Sequence, residues 1–155
     1  MEIKIIQLIN LVAYSFIVSQ SFIYIIALRK VQQNMQPAAY IELRKLLDKN
    51  FQSKFRIVLY TGFVTGSILT VLCSMNPGSL LFITAAIGLI ALIVETIIAI
   101  KGNVPINRII NTWSPESYPY NWETYRAKWL SVFAIRQIVN ITGFVSLLVG
   151  AVFES

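Results

Sequence analysis

Glu95 and Arg136 are the residues of this chain best placed to do chemistry, because each is a charge inside a long apolar run. Glu95 lies within residues 80–100 and Arg136 within residues 130–153, and a membrane span needs roughly 20 mostly apolar residues. A charge inside a membrane helix costs at least ~2.5–3.5 kcal/mol, so it is rarely kept without a partner or a function. The pair therefore predicts either a structural ion pair or the polar end of a functional site.

The two charges are expected at the same depth in the membrane. Glu95 is five residues before the end of its run, and Arg136 is six residues after the start of its own. With a rise of about 1.5 Å per residue, both lie roughly 8–9 Å inside one membrane boundary, so they can pair. Asn140 follows Arg136 by one helical turn and is expected beside them. Alternatively, Arg136 could extend toward the interface and leave Glu95 alone.

A catalytic role for the pair is chemically coherent. Glu95 would act as a base, and Arg136 would stabilise a developing oxyanion with help from Asn140 or Asn107. An ion pair with Arg136 would make Glu95 a weaker base, however, so the structural and catalytic roles oppose each other. These residues alone therefore leave open whether the protein is an enzyme.

The composition indicates a membrane protein. Of the 155 residues, 56% are hydrophobic and only 13% are charged, whereas soluble domains carry about 25% charged residues. Four apolar runs are long enough to span a bilayer, and they occupy residues 3–28, 57–75, 80–100 and 130–153. Little chain remains for a separate soluble core. The sequence predicts an all-α fold, an integral membrane antiparallel four-helix bundle formed by a single domain over residues 1–155.

The basic residues predict the orientation of the bundle. Eleven of the 13 Lys and Arg residues lie between the first and second runs or between the third and fourth, whereas Lys4 lies on the other side. Because basic loops stay in the cytoplasm, both long segments are expected there and both termini outside, most simply in a bacterial inner membrane. The net charge of +6 then reflects contact with membrane lipid and requires no nucleic acid.

The chain lacks the residues that hold common metals and haems. It has no His, and its single Cys73 lies in an apolar run where it is expected to pack as a small side chain. Haem, copper, iron and zinc sites with histidine ligands are therefore excluded. We expect neither a cofactor nor a metal site.

The connecting segments carry recognisable turn and helix signals. The sequence Asn76-Pro77-Gly78-Ser79 predicts a tight turn, with Gly78 in a left-handed conformation, between the second and third spans. Pro37 predicts the start of a short amphipathic helix at the membrane surface, as a connector or a lid. Further short helices are expected from Pro105 to near Trp113, and from Ser114-Pro115, with Asn121 capping the fourth span. The two long segments are thus expected to contain short interfacial helices.

Polar and aromatic residues concentrate toward the cytoplasmic side. Every tryptophan of the chain lies in one segment, and the residues singled out as candidate ligand contacts are Gln20, Asn103, Asn107, Trp113, Trp122, Arg126, Trp129 and Asn140. An interfacial aromatic belt would explain the tryptophans without a ligand, and a ligand vestibule would explain them equally. Gly62 and Gly66 favour close helix packing within the chain, or a contact between copies in a homo-oligomer.

Several of these residues form a string that is shared with a known family. The string consists of Met35-x-Pro37-Ala38, Glu95, Asn103-x-Pro105-x-Asn107, Trp113, Trp122-x-x-x-Arg126-x-x-Trp129 and Arg136. With its four spans, the chain resembles the anthrone-oxygenase-like family over nearly its whole length. Most bacterial members of that family are membrane proteins of unknown function, and fungal relatives oxidise phenolic anthrones to quinones with O₂ and no clear cofactor. The resemblance implies a cofactor-independent oxygenase of phenolic polycycles. The chain departs from the family pattern in one respect, because it has no His between Trp129 and Arg136.

These observations converge on a cavity near the cytoplasmic face. We expect spans one, three and four to enclose it, residues 103–129 to roof it, and Glu95 and Arg136 to form its polar end. A flat aromatic or lipid-like molecule would suit such a pocket. Two alternatives are a non-catalytic accessory or structural membrane protein, and a small proton-coupled transporter that uses Glu95.

Overall fold

Four long helices form an antiparallel bundle. A computed structural model describes residues 2–154, apart from the side chains of residues 51–54. The helices are α1 (Glu2–Asn34), α2 (Pro37–Cys73), α3 (Leu80–Asn111) and α4 (Trp122–Phe153). Residues 35–36, 74–79 and 112–121 connect them, and such short links make consecutive helices neighbours of opposite direction. The predicted all-α four-helix bundle is confirmed.

Each helix carries a stretch long and apolar enough to cross a membrane, and in α2 this stretch is Phe55–Cys73. Large apolar side chains cover the outside of the bundle, for example Ile26, Val71 and Val152, which are 81%, 69% and 69% exposed. Polar side chains such as Asn10 instead lie buried inside. Because a bilayer reverses the usual requirement for a polar surface, this distribution fits an integral membrane protein.

The amphipathic segment after α1 is not a separate helix. It begins at Pro37 as predicted, but it continues without interruption to Cys73. No proline follows Pro37 in this stretch and the first glycine is Gly62, so nothing breaks the backbone hydrogen bonds. The N-terminal half of α2 therefore extends beyond the candidate span Phe55–Cys73 and packs Tyr40 and Ile41 against the end of α3.

The C-terminal parts of α1 and α3 begin at wide π-helical turns. These turns are Tyr24–Leu28 in α1 and Ala99–Asn103 in α3. The predicted helix around Pro105 forms over Val104–Asn111, as a direct continuation of the third span. Turns of this kind insert one extra residue and are frequent at functional sites, because they change the direction of the side chains that follow.

Two turn predictions are wrong. Gly78 does not adopt a left-handed conformation, since no described residue has a positive φ. The chain leaves α2 through successive right-handed turns, in which Asn76 N–H donates to the Cys73 carbonyl. Ser114 starts no helix, because Ser114 and Ser117 exchange backbone hydrogen bonds with each other in a tight turn instead. Both loops satisfy their backbone groups locally, so neither needs the structure predicted for it.

Glycines bring the helices into close contact toward the end of the bundle that lies opposite the π-helical turns. A Cβ atom on Gly143 of α4 would meet the Tyr14 hydroxyl and would lie 2.7 Å from Ala91 Cβ. Gly62 and Gly66 of α2 likewise face atoms of Ile17 and Asn10, at 3.2 and 3.3 Å. The glycine pair of α2 thus packs inside the chain, as helix interfaces in membranes do.

Replacement of Gly143 by alanine should destabilise the bundle. The added methyl group has no space, so we expect the free energy of unfolding to fall by about 1–3 kcal/mol in detergent denaturation. Gly78→Ala is the matched control, because its added Cβ would have no neighbour closer than 3.9 Å. Equal stability of the two variants would contradict the packing described for Gly143.

The predicted orientation can be tested by cysteine labelling. Met75 and Tyr120 are exposed in connections at opposite ends of the bundle. In a Cys73→Ala background, Met75→Cys should react with a membrane-impermeant maleimide in intact cells. Tyr120→Cys should react only after the membrane is opened, because the basic residues hold its side in the cytoplasm. The reverse pattern would invert the topology.

Candidate functional site

An ion pair between α3 and α4 lies at the centre of the site. Glu95 is only 1% exposed, and its Oε1 accepts hydrogen bonds from Arg136 Nε at 2.8 Å and from Arg136 Nη2. The predicted pairing of these two residues is confirmed. The second carboxylate oxygen, Oε2, has only a long 3.4 Å contact from the Thr96 hydroxyl. Oε2 of Glu95 can therefore accept a further hydrogen bond, while Oε1 binds Arg136 of α4.

Asn103 supplies a further hydrogen-bond acceptor to Arg136. Its Oδ1 accepts from Arg136 Nη1 at 3.0 Å, and its Nδ2 donates to the Trp129 carbonyl at 3.0 Å. Asn103 lies eight residues after Glu95, which in a regular helix would turn it by about 80° from the face of Glu95. The extra residue of the π-helical turn removes most of that rotation. The wide turn thus brings both side chains to one arginine.

Asn107 links three helices one turn further on. Its Oδ1 accepts from Trp129 Nε1 at 2.8 Å and from Arg44 Nη2 at 3.1 Å. Its Nδ2 donates to Asp48 Oδ1 at 3.0 Å, and Asp48 Oδ2 accepts from Asn111 at 2.8 Å. This network joins α2, α3 and α4 near the end of α3, so side chains from distant parts of the sequence have fixed positions there.

Arg44 is a site residue that sequence reasoning missed. It is 6% exposed, its guanidinium lies 3.6 Å from the centre of the Trp129 ring, and its Nε has no hydrogen-bond partner. Burial lowers the pKa of Arg44 to about 10, so the side chain is a cation at neutral pH. A signal was present in the sequence, since Tyr40, Arg44 and Asp48 recur every four residues on the buried face of α2.

A cavity of about 820 Å³ lies beside this network. Glu95, Arg136, Asn103 and Asn107 line it, and Gln20 lines it from α1. The predicted enclosure by spans one, three and four omits α2, which contributes lining residues between Arg44 and Asp48 and between Phe55 and Phe63. Both groups of residues belong to the same uninterrupted helix.

The cavity combines an apolar body with polar ends. Its apolar part includes Phe55, Leu59, Phe63 and Phe133, and the Phe133 ring stacks on Trp129 with centroids 4.6 Å apart. Three other lining residues, namely Ile23, Tyr60 and Ile100, are exposed. All three belong to the candidate membrane spans, so the cavity is open rather than sealed at residues of these spans.

Three predicted contacts lie away from the cavity. Trp113 and Trp122 pack in a buried cluster with Tyr40 and the end of α3, and Lys45 Nζ donates to the Trp113 carbonyl. Arg126 donates to the Met35 carbonyl at 2.9 Å and lies over the Trp122 ring. These side chains hold the link between α1 and α2 against the start of α4.

Asn140 is also outside the cavity wall. It is completely buried, and neither polar atom of its side chain has a hydrogen-bond partner in the structure. It follows Arg136 by one turn as predicted, but at this depth α4 closes on its neighbours around Gly143. Of the predicted site residues, Trp129 is the only tryptophan that lines the cavity.

A double-mutant cycle measures the central ion pair. Glu95→Gln and Arg136→Met should each lower the free energy of unfolding by about 3–5 kcal/mol, because each leaves a buried charge unpaired. The double variant should lose clearly less than the sum of the two. Thr142→Val is the control on α4, because Thr142 is exposed and bonds only to its own helix. Its effect should add to that of Glu95→Gln, and additivity in the main cycle would refute direct pairing.

Comparisons with protein-family models, with curated proteins and with solved structures found no match to this chain. The function proposed below is therefore inferred from the residues of the cavity and their geometry.

Proposed function

We propose that this protein binds a small hydrophobic molecule that carries a hydroxyl or carbonyl oxygen, in the cavity at the cytoplasmic end of its four helices. The observation that carries the proposal is the pairing of an apolar cavity of about 820 Å³ with a buried, incompletely used ion pair at its end. Ligand pockets typically measure about 300–1,000 Å³ and combine an apolar wall with a few polar groups. The cavity falls in this range and has this composition.

The polar end offers both a donor and an acceptor to a ligand oxygen. Glu95 Oε2 can accept a hydrogen bond from a hydroxyl, since its contact with Thr96 is long. Arg136 uses three of its N–H groups on Glu95 and Asn103, so two of the five remain for a carbonyl oxygen. A phenol, an anthrone or a quinone could satisfy both groups.

Aromatic residues favour a flat occupant. Trp129 and Phe133 form a stack beside Arg136, and Tyr24 meets Phe133 edge to face with centroids 4.6 Å apart. Planar ring systems gain from such offset or edge contacts beyond the area they bury. The lateral openings near Ile23, Tyr60 and Ile100 would admit a ligand from the lipid layer, where hydrophobic molecules accumulate.

The geometry favours binding over proton abstraction. Arg136 donates two hydrogen bonds to Glu95 Oε1, so the carboxylate already serves as a structural ligand of the arginine. The resemblance to the anthrone-oxygenase-like family supports a flat phenolic ligand, and oxidation of that ligand by O₂ would be a further property of the same site. An accessory protein without a ligand, or a proton-coupled transporter, would not require an aromatic-walled cavity.

Tryptophan fluorescence provides a direct test with anthraquinone as the ligand. In a Trp113→Phe/Trp122→Phe background, Trp129 is the only tryptophan left, and we expect saturable quenching because it lines the cavity. Ala99→Phe should weaken binding by about tenfold or more, because its ring would fill part of the cavity and displace ligand contacts.

The control for this experiment is Ile97→Phe. Ile97 is 47% exposed on the same helix and does not line the cavity, so the same ring placed there should leave anthraquinone binding unchanged. The proposal fails if quenching is not saturable, or if Ala99→Phe binds anthraquinone as well as the Ile97→Phe control does.

A further inference from the structure

We infer that the cavity contains a second polar end, formed by Arg44 and Arg108, that takes an anionic oxygen group of the bound molecule. The group would be a carboxylate or a phosphate, so the ligand would be an anionic amphiphile. This inference rests on the proposed function, because it assumes that the cavity holds a ligand, and it adds the charge of that ligand.

The charges that line the cavity do not balance. Among the side chains that the structure describes, its wall contains four cations and two carboxylates, namely Arg44, Arg56, Arg108, Arg136, Asp48 and Glu95. Glu95 is engaged by Arg136, and Asp48 accepts hydrogen bonds from two neutral amides. The other three arginines have no ion pair with a carboxylate within residues 2–154. A cavity with a net positive wall attracts an anion.

Arg44 is the strongest individual indication. A buried guanidinium is costly unless its charge is paired and its N–H groups are hydrogen-bonded. The partners that the structure gives Arg44 are the neutral Asn107 oxygen and the face of Trp129, and the Asp48 carboxylate interacts with it electrostatically without forming an ion pair. An anionic oxygen in the cavity would balance the charge of the guanidinium. Arg44 is therefore a built part of an anion site rather than a surface charge.

Arg56 and Arg108 lie on the rim of the same cavity. Both are exposed, and they come from α2 and α3, the two helices that form its largest walls. Arginine forms paired hydrogen bonds to carboxylates and phosphates, and its long side chain can reach inward from a rim. Arg108 follows Asn107, the hydrogen-bond partner of Arg44, so these two arginines lie at one end of the cavity. Arg56 lies 12 residues after Arg44, about 18 Å along α2, beside Phe55 and Leu59, and adds only to the positive charge of the wall.

The experiment compares anthraquinone-2-carboxylate with its methyl ester, by the quenching of Trp129 described above. Both share one ring system, so the difference between them reports the anionic group alone. We expect the acid to bind about tenfold tighter than the ester at low salt, and we expect this preference to shrink as salt screens the charge. Arg108→Gln should weaken binding of the acid several-fold and binding of the ester far less.

Lys101→Gln is the matched control, since Lys101 is an exposed cation on the same helix and does not line the cavity. It should leave the preference for the acid unchanged. Inorganic phosphate alone serves as a second probe, and competition with the acid but not with the ester supports an anion site. If the anionic group belongs to a phosphate-bearing lipid, dodecyl phosphate should compete with the acid at a far lower concentration than inorganic phosphate does.

The possible failures can be told apart. If acid and ester bind equally well and Arg108→Gln changes neither, the cavity binds ligands without an anion site and the inference is wrong. If neither compound binds, the proposed function itself fails. Arg44→Gln gives an independent check, because an anion that contacts Arg44 should raise the thermal stability of the parent protein more than that of this variant.

Discussion

The buried ion pair between Glu95 and Arg136 is the interaction on which the arrangement of the side chains around the cavity depends. Two charges in a membrane core are costly singly and tolerable together, so the pair fixes the relative position of α3 and α4. Arg136 also donates to Asn103, and Asn103 in turn donates to the Trp129 carbonyl, so the pair sets the positions of both residues. Through Asn107, this arrangement extends to Arg44 and hence to α2. The ion pair thus fixes a network that spans three helices.

A cavity forms at this level because packing differs along the bundle. Toward the other end, Gly143 and Gly150 let α4 touch Tyr14 and Thr84 directly, and little space is left. Toward the end that carries Asn103 and Asn107, both α1 and α3 widen into π-helical turns. Large side chains such as Tyr24, Phe63 and Phe133 hold the helices apart there. A bundle that is tight at one end and wide at the other creates a pocket that its own side chains do not fill.

The same features make the cavity suitable for a ligand from the membrane. Much of its wall is apolar, and some of its lining residues are exposed within the candidate membrane spans. A molecule could therefore enter with its apolar part in lipid and meet polar groups only when it is seated. The two polar ends differ in kind. One is an ion pair with spare donors and acceptors, and the other is a group of arginines without carboxylate partners.

The sequence by itself determined the helices, their antiparallel order and the central pair. Apolar runs of the right length and a charge in each of two of them suffice for that, because burial and depth follow from the helix rise alone. Only the tertiary structure decided which residues surround the cavity. Arg44 was hidden in an amphipathic helix, and its role depends on that helix continuing into the second span. Trp113, Trp122 and Arg126 resembled ligand contacts, but they pack between chain segments. Which residues become neighbours across helices depends on side-chain packing and on the two π-helical turns. The spacing of hydrophobic residues along the sequence predicts neither of them.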